Sequence, residues 1–250
     1  MVLFGYRIPM MFSLALWCVA WELLGRSEVV FIFPAFSHVL AAFWVLIGTN
    51  AFRNAALMSL ESFAYGMGIA MVAGIALGFL MGRSHTANRF LGMWVNIFAS
   101  APLSSLVPVI MLLFGLGSTT IIVTVTMFAV WIITLDTFAG VRHVSPSLIE
   151  MGRTFGATRW QLYRKILFLA ALPEILAGVR MGLIRAVKGV VIGQLLVSVV
   201  GFGQMFAIYS AGLQMEKFWA LTLVLFAFAL GGSWLVEQLE HRVQYYAGSR

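Results

Sequence analysis

Two groups of basic residues have the clearest chemical potential in this sequence, and the chemistry they suit is binding of an anion or a partner. Between Val141 and Pro173, five basic residues accompany a single acid, Glu150. The five are Arg142, Arg153, Arg159, Arg164 and Lys165. A second pair, Arg185 and Lys188, lies three residues apart inside an apolar run, so both occupy one face of a helix.

Residue types that catalysis or metal binding requires do not form a recognisable pattern. The four histidines are scattered, without the i,i+4 pairing typical of a helical metal site. The sequence contains no G-x-x-x-x-G-K-[ST] motif, so we do not expect it to bind ATP itself. Cys18 is its single cysteine, which excludes a cysteine metal cluster. We predict no catalytic residue, no metal site and no cofactor in this chain.

The composition is that of a membrane protein. Hydrophobic residues make up 62% of the chain and charged residues only 10%, whereas soluble domains contain about 25% charged residues. The net charge is +7, but the polar segments are too short to form a nucleic-acid-binding domain. We therefore interpret the positive charge as a topology signal.

Hydropathy predicts an all-α polytopic membrane protein with a single domain over residues 1–250 and about six transmembrane helices. The first apolar run follows Arg7 and has no small-x-small cleavage site, so we interpret it as a retained helix. The predicted spans are 8–24, 57–81, 91–114, 119–140, 175–200 and 219–236. Residues 38–48 are too few to cross the membrane and predict an interfacial helix, and residues 201–218 predict a short or re-entrant segment.

Two of these spans carry features beyond hydrophobicity. The second has small residues at four-residue intervals, a pattern that predicts close helix packing; they are Ala70, Gly74, Gly78 and Gly82. The third contains Pro102 and Pro108 with serines between them, Ser105 included, and is expected to be kinked or broken. Such a break either lines a pore or serves packing alone.

The distribution of basic residues predicts the orientation. With six spans, one side receives Arg7, Arg83, Arg89, the five basic residues of 142–165, Arg242 and Arg250. The other side receives Arg26, Arg53 and Lys217. The positive-inside rule makes the first side cytoplasmic, so both termini and the loop 142–173 are expected in the cytoplasm.

That loop carries a spaced motif. Glu150-Met151-Gly152 is followed by Gly156, by Ile166 and by Leu172-Pro173. The motif resembles the cytoplasmic signature of ABC importer permeases: Glu-Ala-Ala, three residues, Gly, nine residues, then Ile-x-Leu-Pro. The surrounding text, VRHVSPSLIEMGRTFGATRWQLYRKILFLAALPEILAGVRMGL, is similar to the nitrate/sulfonate/taurine-type branch of these permeases.

The sequence departs from the family pattern at four positions. Met151 and Gly152 replace the two alanines of the signature, and Leu169 stands where this branch usually has a proline. Gln194 occupies a position where many relatives carry Glu. The departures concern the fine geometry of the loop and the role of that Glu.

Local rules predict a short helix in the loop. Ser147 is a candidate N-cap, Glu150 completes a capping-box pattern with it, and Gly156 is free to take the positive φ that ends a helix. Such a helix can dock in a partner's groove. The alternative is an amphipathic loop whose basic residues only anchor the lipid interface.

The resemblance implies the permease subunit of an ATP-driven importer of a small, anionic solute, located in a bacterial-type inner membrane. Its expected partners are ABC ATPase subunits, which bind the ATP, a second permease copy or homologue, and an external solute-binding protein. The implied ATPase-coupling residues are Ser147, Leu148, Glu150, Met151, Gly152, Phe155, Gly156, Ala157 and Ile166.

A substrate path would involve polar or helix-breaking residues inside the spans. The candidates are Pro102, Ser105, Trp131, Arg185, Lys188 and Gln194. A basic residue near mid-membrane must face protein or water, so Arg185 and Lys188 either line a cavity or pair structurally with Asp136 or Glu61. Arg185 has the further alternative of extending its side chain to the membrane interface. The alternative functions are a secondary transporter or channel without an ATPase, and a membrane-embedded enzyme.

Overall fold

The computed structural model describes residues 2–3, 6–7, 10–27, 32–197 and 199–247, and nearly all of them are helical. Strands β1 (Val2–Leu3) and β2 (Tyr6–Arg7) form an antiparallel pair. The helices, in chain order, are α1 (Met10–Arg26), α2 (Phe36–Ile47), α3 (Asn50–Arg83), α4 (His85–Ser100), α5 (Val107–Phe114), α6 (Ser118–His143), α7 (Pro146–Thr154), α8 (Arg159–Gln161), α9 (Phe168–Val197), α10 (Gly201–Ala211) and α11 (Met215–Ala247). A 3-10 turn at Leu103–Leu106 leads into α5, and a π-helical stretch at Leu162–Leu167 joins α8 to α9.

Within the described residues, three helices are long and apolar enough to cross a membrane, and a bent pair counts as a fourth. The three are Asn50–Arg83, Ser118–His143 and the continuous helix Arg159–Val197. These helices confirm the all-helical, multi-pass class. The predicted first span, 8–24, overlaps the 17-residue helix α1, and residues 8–9 lie outside the described part. The sixth, 219–236, falls within α11, and the total of six spans stays a prediction.

Helix α6 is the centre of the bundle. It packs along α3 on one side and α9 on the other, and α3 also touches α9. The core between them is built from buried residues of all three helices, including Met67 of α3, Val125 and Ile133 of α6, and Val190 of α9. A second apolar cluster joins α2, α10 and α11, and a third lies at the α7 end of the bundle.

The small residues of α3 lie against α6, which confirms the predicted packing role. A Cβ atom added at Gly74 would lie 2.8 Å from Ile133 Cγ2, and one at Gly78 would lie 2.5 Å from the Thr134 carbonyl oxygen. Helix α9 approaches α6 in the same way, since a Cβ at Gly182 would lie 2.7 Å from Ile133 Cδ1. Ile133 therefore fits between two glycine-bearing surfaces.

The third predicted span is broken, as its prolines indicate. Helices α4 and α5 meet at an angle of 97° across the 3-10 turn, and the break begins at Ala101–Pro102. Pro108 lies in the first turn of α5, where a missing N–H leaves no helical hydrogen bond unmade. Only Pro102 is thus positioned to break the span.

The fifth predicted span, 175–200, has a different start in the structure. One continuous helix runs from Arg159 to Val197. The connection that the sequence placed at 142–173 therefore ends at Thr158. Pro173 lies inside α9 and does not separate two elements. Pro173 was thus wrongly predicted to separate two elements, since a helix keeps its course through a proline when neighbouring helices supply the packing. Which part of the long helix crosses the membrane stays a prediction.

We expect Gly78→Ala to destabilise the bundle, because its new Cβ meets the α6 backbone. Overpacking of this kind costs about 1–3 kcal/mol, measurable as a lower melting temperature of the purified protein in detergent. Gly68→Ala is the matched control on the same helix, since a Cβ there has nothing within 4 Å. Equal melting temperatures for the two variants would contradict the proposed role of close approach.

Candidate functional site

Helix α7 begins two residues earlier than the capping pattern predicts. Its N-cap is Ser145 and its first residue is Pro146, whose fixed φ suits the first turn of a helix. The Ser145 hydroxyl is hydrogen-bonded to the Ser147 hydroxyl at 2.6 Å, and Ser145 makes no side-chain cap. The predicted Ser147–Glu150 capping box is therefore wrong.

A capping box is present one element later, at the start of α8. The Gln161 backbone N–H donates to Thr158 Oγ1 at 3.3 Å, and the Thr158 N–H donates to Gln161 Oε1 at 2.8 Å. These two bonds begin the long helix Arg159–Val197. Our sequence reasoning missed them, although Thr-x-x-Gln is itself a readable capping signal.

The end of α7 follows the prediction for Gly156. Its φ is +75°, its N–H donates to the Arg153 carbonyl at 2.9 Å, and the Ala157 N–H donates to the Gly152 carbonyl at 3.0 Å. This pair of bonds is a Schellman motif, in which a left-handed residue satisfies the last carbonyls of the helix. Helix α7 is therefore a short rod with a defined end.

One face of α7 is packed against the base of the long helix. Gly152 is buried, and a Cβ there would clash with Ile166 Cδ1 and lie 2.7 Å from Leu162 Cδ2. Ile149 adds a contact to the apolar cluster at this end of the bundle. Gly152, one of the departures from the family signature, thus leaves room for Ile166. Ile166, predicted as a coupling residue, packs against α7 at Gly152.

A second face of α7 is apolar and exposed. Leu148, Met151 and Phe155 expose 39%, 50% and 83% of their surface, and their spacing places them on one side of the helix. Ser147 and Glu150 are also exposed, while Ala157 is half-buried beyond the helix end. An exposed apolar stripe on a capped helix is suited to insertion in a groove on another protein.

The π-helical stretch Leu162–Leu167 lies against α7 at Gly152 and carries Ile166. Short π-helical turns inside α-helices are frequent at functional sites. Here the stretch joins the capping box at Thr158 to the membrane-length helix, so the surface that supports α7 is continuous with the bundle. Neither hydropathy nor spacing indicated it.

The candidate path residues do not converge on one site. Pro102 and Ser105 are exposed at the break in the third span. The Trp131 ring stacks on Phe98 of α4, with centroids 4.8 Å apart and planes 12° apart. Its indole Nε1 is buried and has no hydrogen-bond partner. Trp131 therefore contacts the broken span, on a different helix from Arg185 and Lys188.

Arg185 and Lys188 have different surroundings. Arg185 is half-buried and interacts electrostatically with Asp136 of α6, which favours the structural alternative for this residue. Lys188 is exposed and lines a cavity of about 560 Å³ between α9, α10 and α11. It is the charged residue of a mostly apolar lining that also includes Ser210 and Thr222. An ammonium group in such a lining suits an anionic group of a ligand.

Gln194 is fully buried. Its amide Nε2 donates to the Ser59 hydroxyl at 2.5 Å, which ties α9 to α3. Its Oε1 has no hydrogen-bond partner. A Cβ at Gly201 would lie 3.2 Å from Nε2, so backbone closes over the amide. This environment favours an internal tie between helices. Within the described residues, no three His, Cys, Asp or Glu side chains form a group able to hold a metal.

Comparison with known proteins places these features in a family. Residues 70–245 match the family described as "Binding-protein-dependent transport system inner membrane component". The chain is 32% identical over 130 residues to the carnitine transport permease protein OpuCD of Listeria monocytogenes, covering 52% of this chain and 58% of that protein. It is 27% identical to the taurine transport system permease protein TauC of Escherichia coli and 28% identical to the riboflavin transport system permease protein RibX of Chloroflexus aurantiacus. Both matches cover 80% of this chain and 74% of the relative.

These relatives are named for three chemically different solutes, so they do not select the nitrate/sulfonate/taurine-type branch that the sequence suggested.

Solved structures share the fold. A chain of the MetNI methionine ABC transporter in an inward-facing conformation superposes with a TM-score of 0.52 at 23% identity, over 78% of this chain and 96% of that one. A chain of an amino acid ABC transporter crystallised with histidines gives a TM-score of 0.59 at 20% identity, over 77% and 94%. The family match, the multi-pass helical fold and the capped loop helix agree: the chain belongs to the family of inner membrane components of binding-protein-dependent transport systems.

Proposed function

We propose that this chain is the membrane permease subunit of an ATP-driven importer and that α7 is the element through which a separate ATPase drives it. The observation that carries the proposal is the exposed stripe Leu148, Met151 and Phe155 on a helix with defined ends. Membership of a transport-component family supports it. The ATP is bound by the partner, and this chain carries out no catalysis.

Force applied to α7 has a physical route into the bundle. Ile166 and Leu162 pack against Gly152, and both belong to the continuous helix Arg159–Val197. Because packed interiors resist compression, a displacement of α7 moves the base of this helix with it. The same helix carries Lys188 at the cavity, so the ATPase and the solute would act on one rigid element.

The proposed assembly follows the family. Two permease subunits, this chain with a second copy or a homologue, pair in a bacterial-type inner membrane with their α7 helices and both termini toward the cytoplasm. An external binding protein delivers the solute. We propose a small solute with an anionic group, because Lys188 is the charged residue of its cavity; taurine and carnitine, named for two relatives, both carry such a group.

The alternative is a secondary transporter or channel that needs no ATPase. The two functions separate in one experiment, in which the chain is purified from its native membrane in mild detergent. A stoichiometric nucleotide-hydrolysing partner is expected under the proposal. Uptake that persists without such a partner and responds to an ion gradient would favour the alternative.

Phe155→Ala is expected to weaken ATPase binding without destabilising the chain. Phe155 is 83% exposed, so its truncation should change the stability of the isolated chain by less than about 0.5 kcal/mol. Anchoring aromatic residues at interfaces carry about 1–2 kcal/mol or more, or about tenfold in affinity. The measurement is the dissociation constant of the ATPase subunit. Phe90→Ala, at 73% exposure on α4, is the matched control, and equal losses in both variants would contradict the assignment.

Gly156→Pro is expected to abolish coupled uptake. Proline fixes φ near −65° and has no N–H, whereas Gly156 has φ +75° and donates to Arg153. Gly156→Asn is the matched control, because asparagine tolerates the left-handed region. We expect Gly156→Asn to retain most transport and ATPase co-purification. Normal transport by the proline variant would exclude α7 as the coupling element.

Lys188→Met is expected to lower solute uptake about tenfold, since it removes one charge–charge or charge-assisted hydrogen bond to the solute and keeps the length of the side chain. Uptake is measured at limiting solute in vesicles, with ATPase co-purification as the test of assembly. Lys217→Met, at the start of α11 beside Tyr209, is the control. Unchanged uptake by Lys188→Met would remove Lys188 from the path.

A further inference from the structure

Four guanidinium groups from four different elements line one pocket behind α7. The pocket has a volume of about 640 Å³, and its lining contains no acidic residue. The four are Arg83 of α3, Arg142 of α6, Arg153 of α7 and Arg159 of α8. Among the described residues, none of them lies within 4 Å of a carboxylate. Four like charges brought together repel one another, so the pocket is suited to an anion.

Aromatic contacts hold two of these groups in position. The Arg83 Cζ atom lies 4.0 Å from the centroid of the Tyr163 ring, and Arg142 Cζ lies 5.8 Å from that of Phe138. A guanidinium stacked on a ring keeps its N–H donors in the plane of the group, free for an oxyanion. No carboxylate neutralises these guanidinium groups inside the pocket, since neither Glu150 nor Glu174 lines it.

An apolar groove of about 1090 Å³ adjoins the pocket, and Tyr163 lines both. One wall of the groove is α3, through Val72, Ile75, Ala76 and Phe79, and the other is the base of the long helix, through residues that include Phe168 and Leu169. The α3 residues have the i, i+3, i+4, i+7 spacing of one helical face. Arg83 follows Phe79 by four residues, or about 6 Å along the axis. The groove therefore leads along α3 to the guanidinium groups.

The charge and composition of the groove suit a phospholipid at the membrane surface. Arg164, Lys165 and the 69%-exposed Trp160 lie at its α8 end. Tryptophan and basic side chains at the end of a membrane-length helix are typical of the lipid headgroup layer. Basic pockets between helices on the cytoplasmic side suit anionic headgroups. An acyl chain needs an apolar groove and a phosphate needs donors, and here the two adjoin.

The pocket is separate from the surface proposed for the ATPase. On α7, Ile149 and Arg153 line the pocket, whereas Leu148, Met151 and Phe155 form the exposed stripe. At 100° per residue these two sets are centred roughly 150° apart around the helix. An ATPase on the stripe would thus leave the arginine pocket to another ligand.

We propose that the groove and the arginine pocket bind one anionic phospholipid of the leaflet next to α7. The acyl chain lies along α3, and the phosphate accepts hydrogen bonds from the guanidinium groups. By joining four elements, the phosphate fixes α7 relative to the ends of α3 and α6. This inference requires only that the chain lies in a membrane, so it stands or fails independently of the proposed ATPase coupling.

The test uses the full chain, purified and stripped of lipid in detergent. Phosphatidylglycerol, phosphatidylcholine with the same acyl chains, or sn-glycerol 3-phosphate is then added. We expect phosphatidylglycerol to raise the melting temperature by about 5 °C and to remain bound in native mass spectrometry. Phosphatidylcholine should give a much smaller shift and sn-glycerol 3-phosphate none. Equal shifts with the two lipids would overturn the proposal, and an equal shift with sn-glycerol 3-phosphate would show a site for a soluble anion instead.

Two pairs of variants locate the effect. The double variant Arg83→Gln/Arg159→Gln should lose most of the phosphatidylglycerol shift. Its control, Arg53→Gln/Arg89→Gln, removes the same charge outside the pocket and should keep the shift.

The second pair tests the groove. Ala76→Phe fills the groove and keeps every charge, so it tests the site even if the arginine variant folds poorly. Ala64→Phe on the same helix is its control. A full lipid shift in Ala76→Phe, or in the folded Arg83→Gln/Arg159→Gln variant, would overturn the proposal.

Discussion

Helix α6 packs between α3 and α9 with its backbone close to theirs, and the rest of the structure depends on this packing. In a membrane, apolar side chains gain little by leaving lipid for protein, so helices associate through close van der Waals contact. The glycines on both neighbours make such contact possible, and Ile133 occupies the space that Cβ atoms at Gly74 and Gly182 would take. This three-helix core positions both α7 and the apolar cluster of α2, α10 and α11.

Close packing at a glycine also positions α7, which lies outside the core. Gly152 lacks the side chain that would push Ile166 away, so α7 lies directly on the base of the helix that continues through the bundle as α9. Its ends are fixed by Pro146 and by the positive φ of Gly156. A rigid element seated on a membrane-length helix can transmit displacement, which is the physical content of the proposed coupling.

Polar side chains within the bundle form two groups: some join helices to one another, and others face a cavity. Gln194 donates to Ser59 in the interior and joins α9 to α3. Lys188 faces a cavity instead. On the α7 side, four guanidinium groups meet in one pocket. In both the Lys188 cavity and the arginine pocket the charged lining residues are all basic, which is why the ligands proposed for these two sites are anions.

The sequence alone determined the features that depend on neighbouring residues: the membrane class, the packing face of α3, the break at Pro102 and the stop at Gly156. Each follows from local hydropathy, spacing or backbone freedom. Only the tertiary structure decided that α7 starts at Pro146, that Pro173 lies inside a continuous helix, and that Gln194 is an internal tie. It also brought together arginines from four separate elements. These outcomes depend on contacts between residues far apart in the chain, which local rules do not contain.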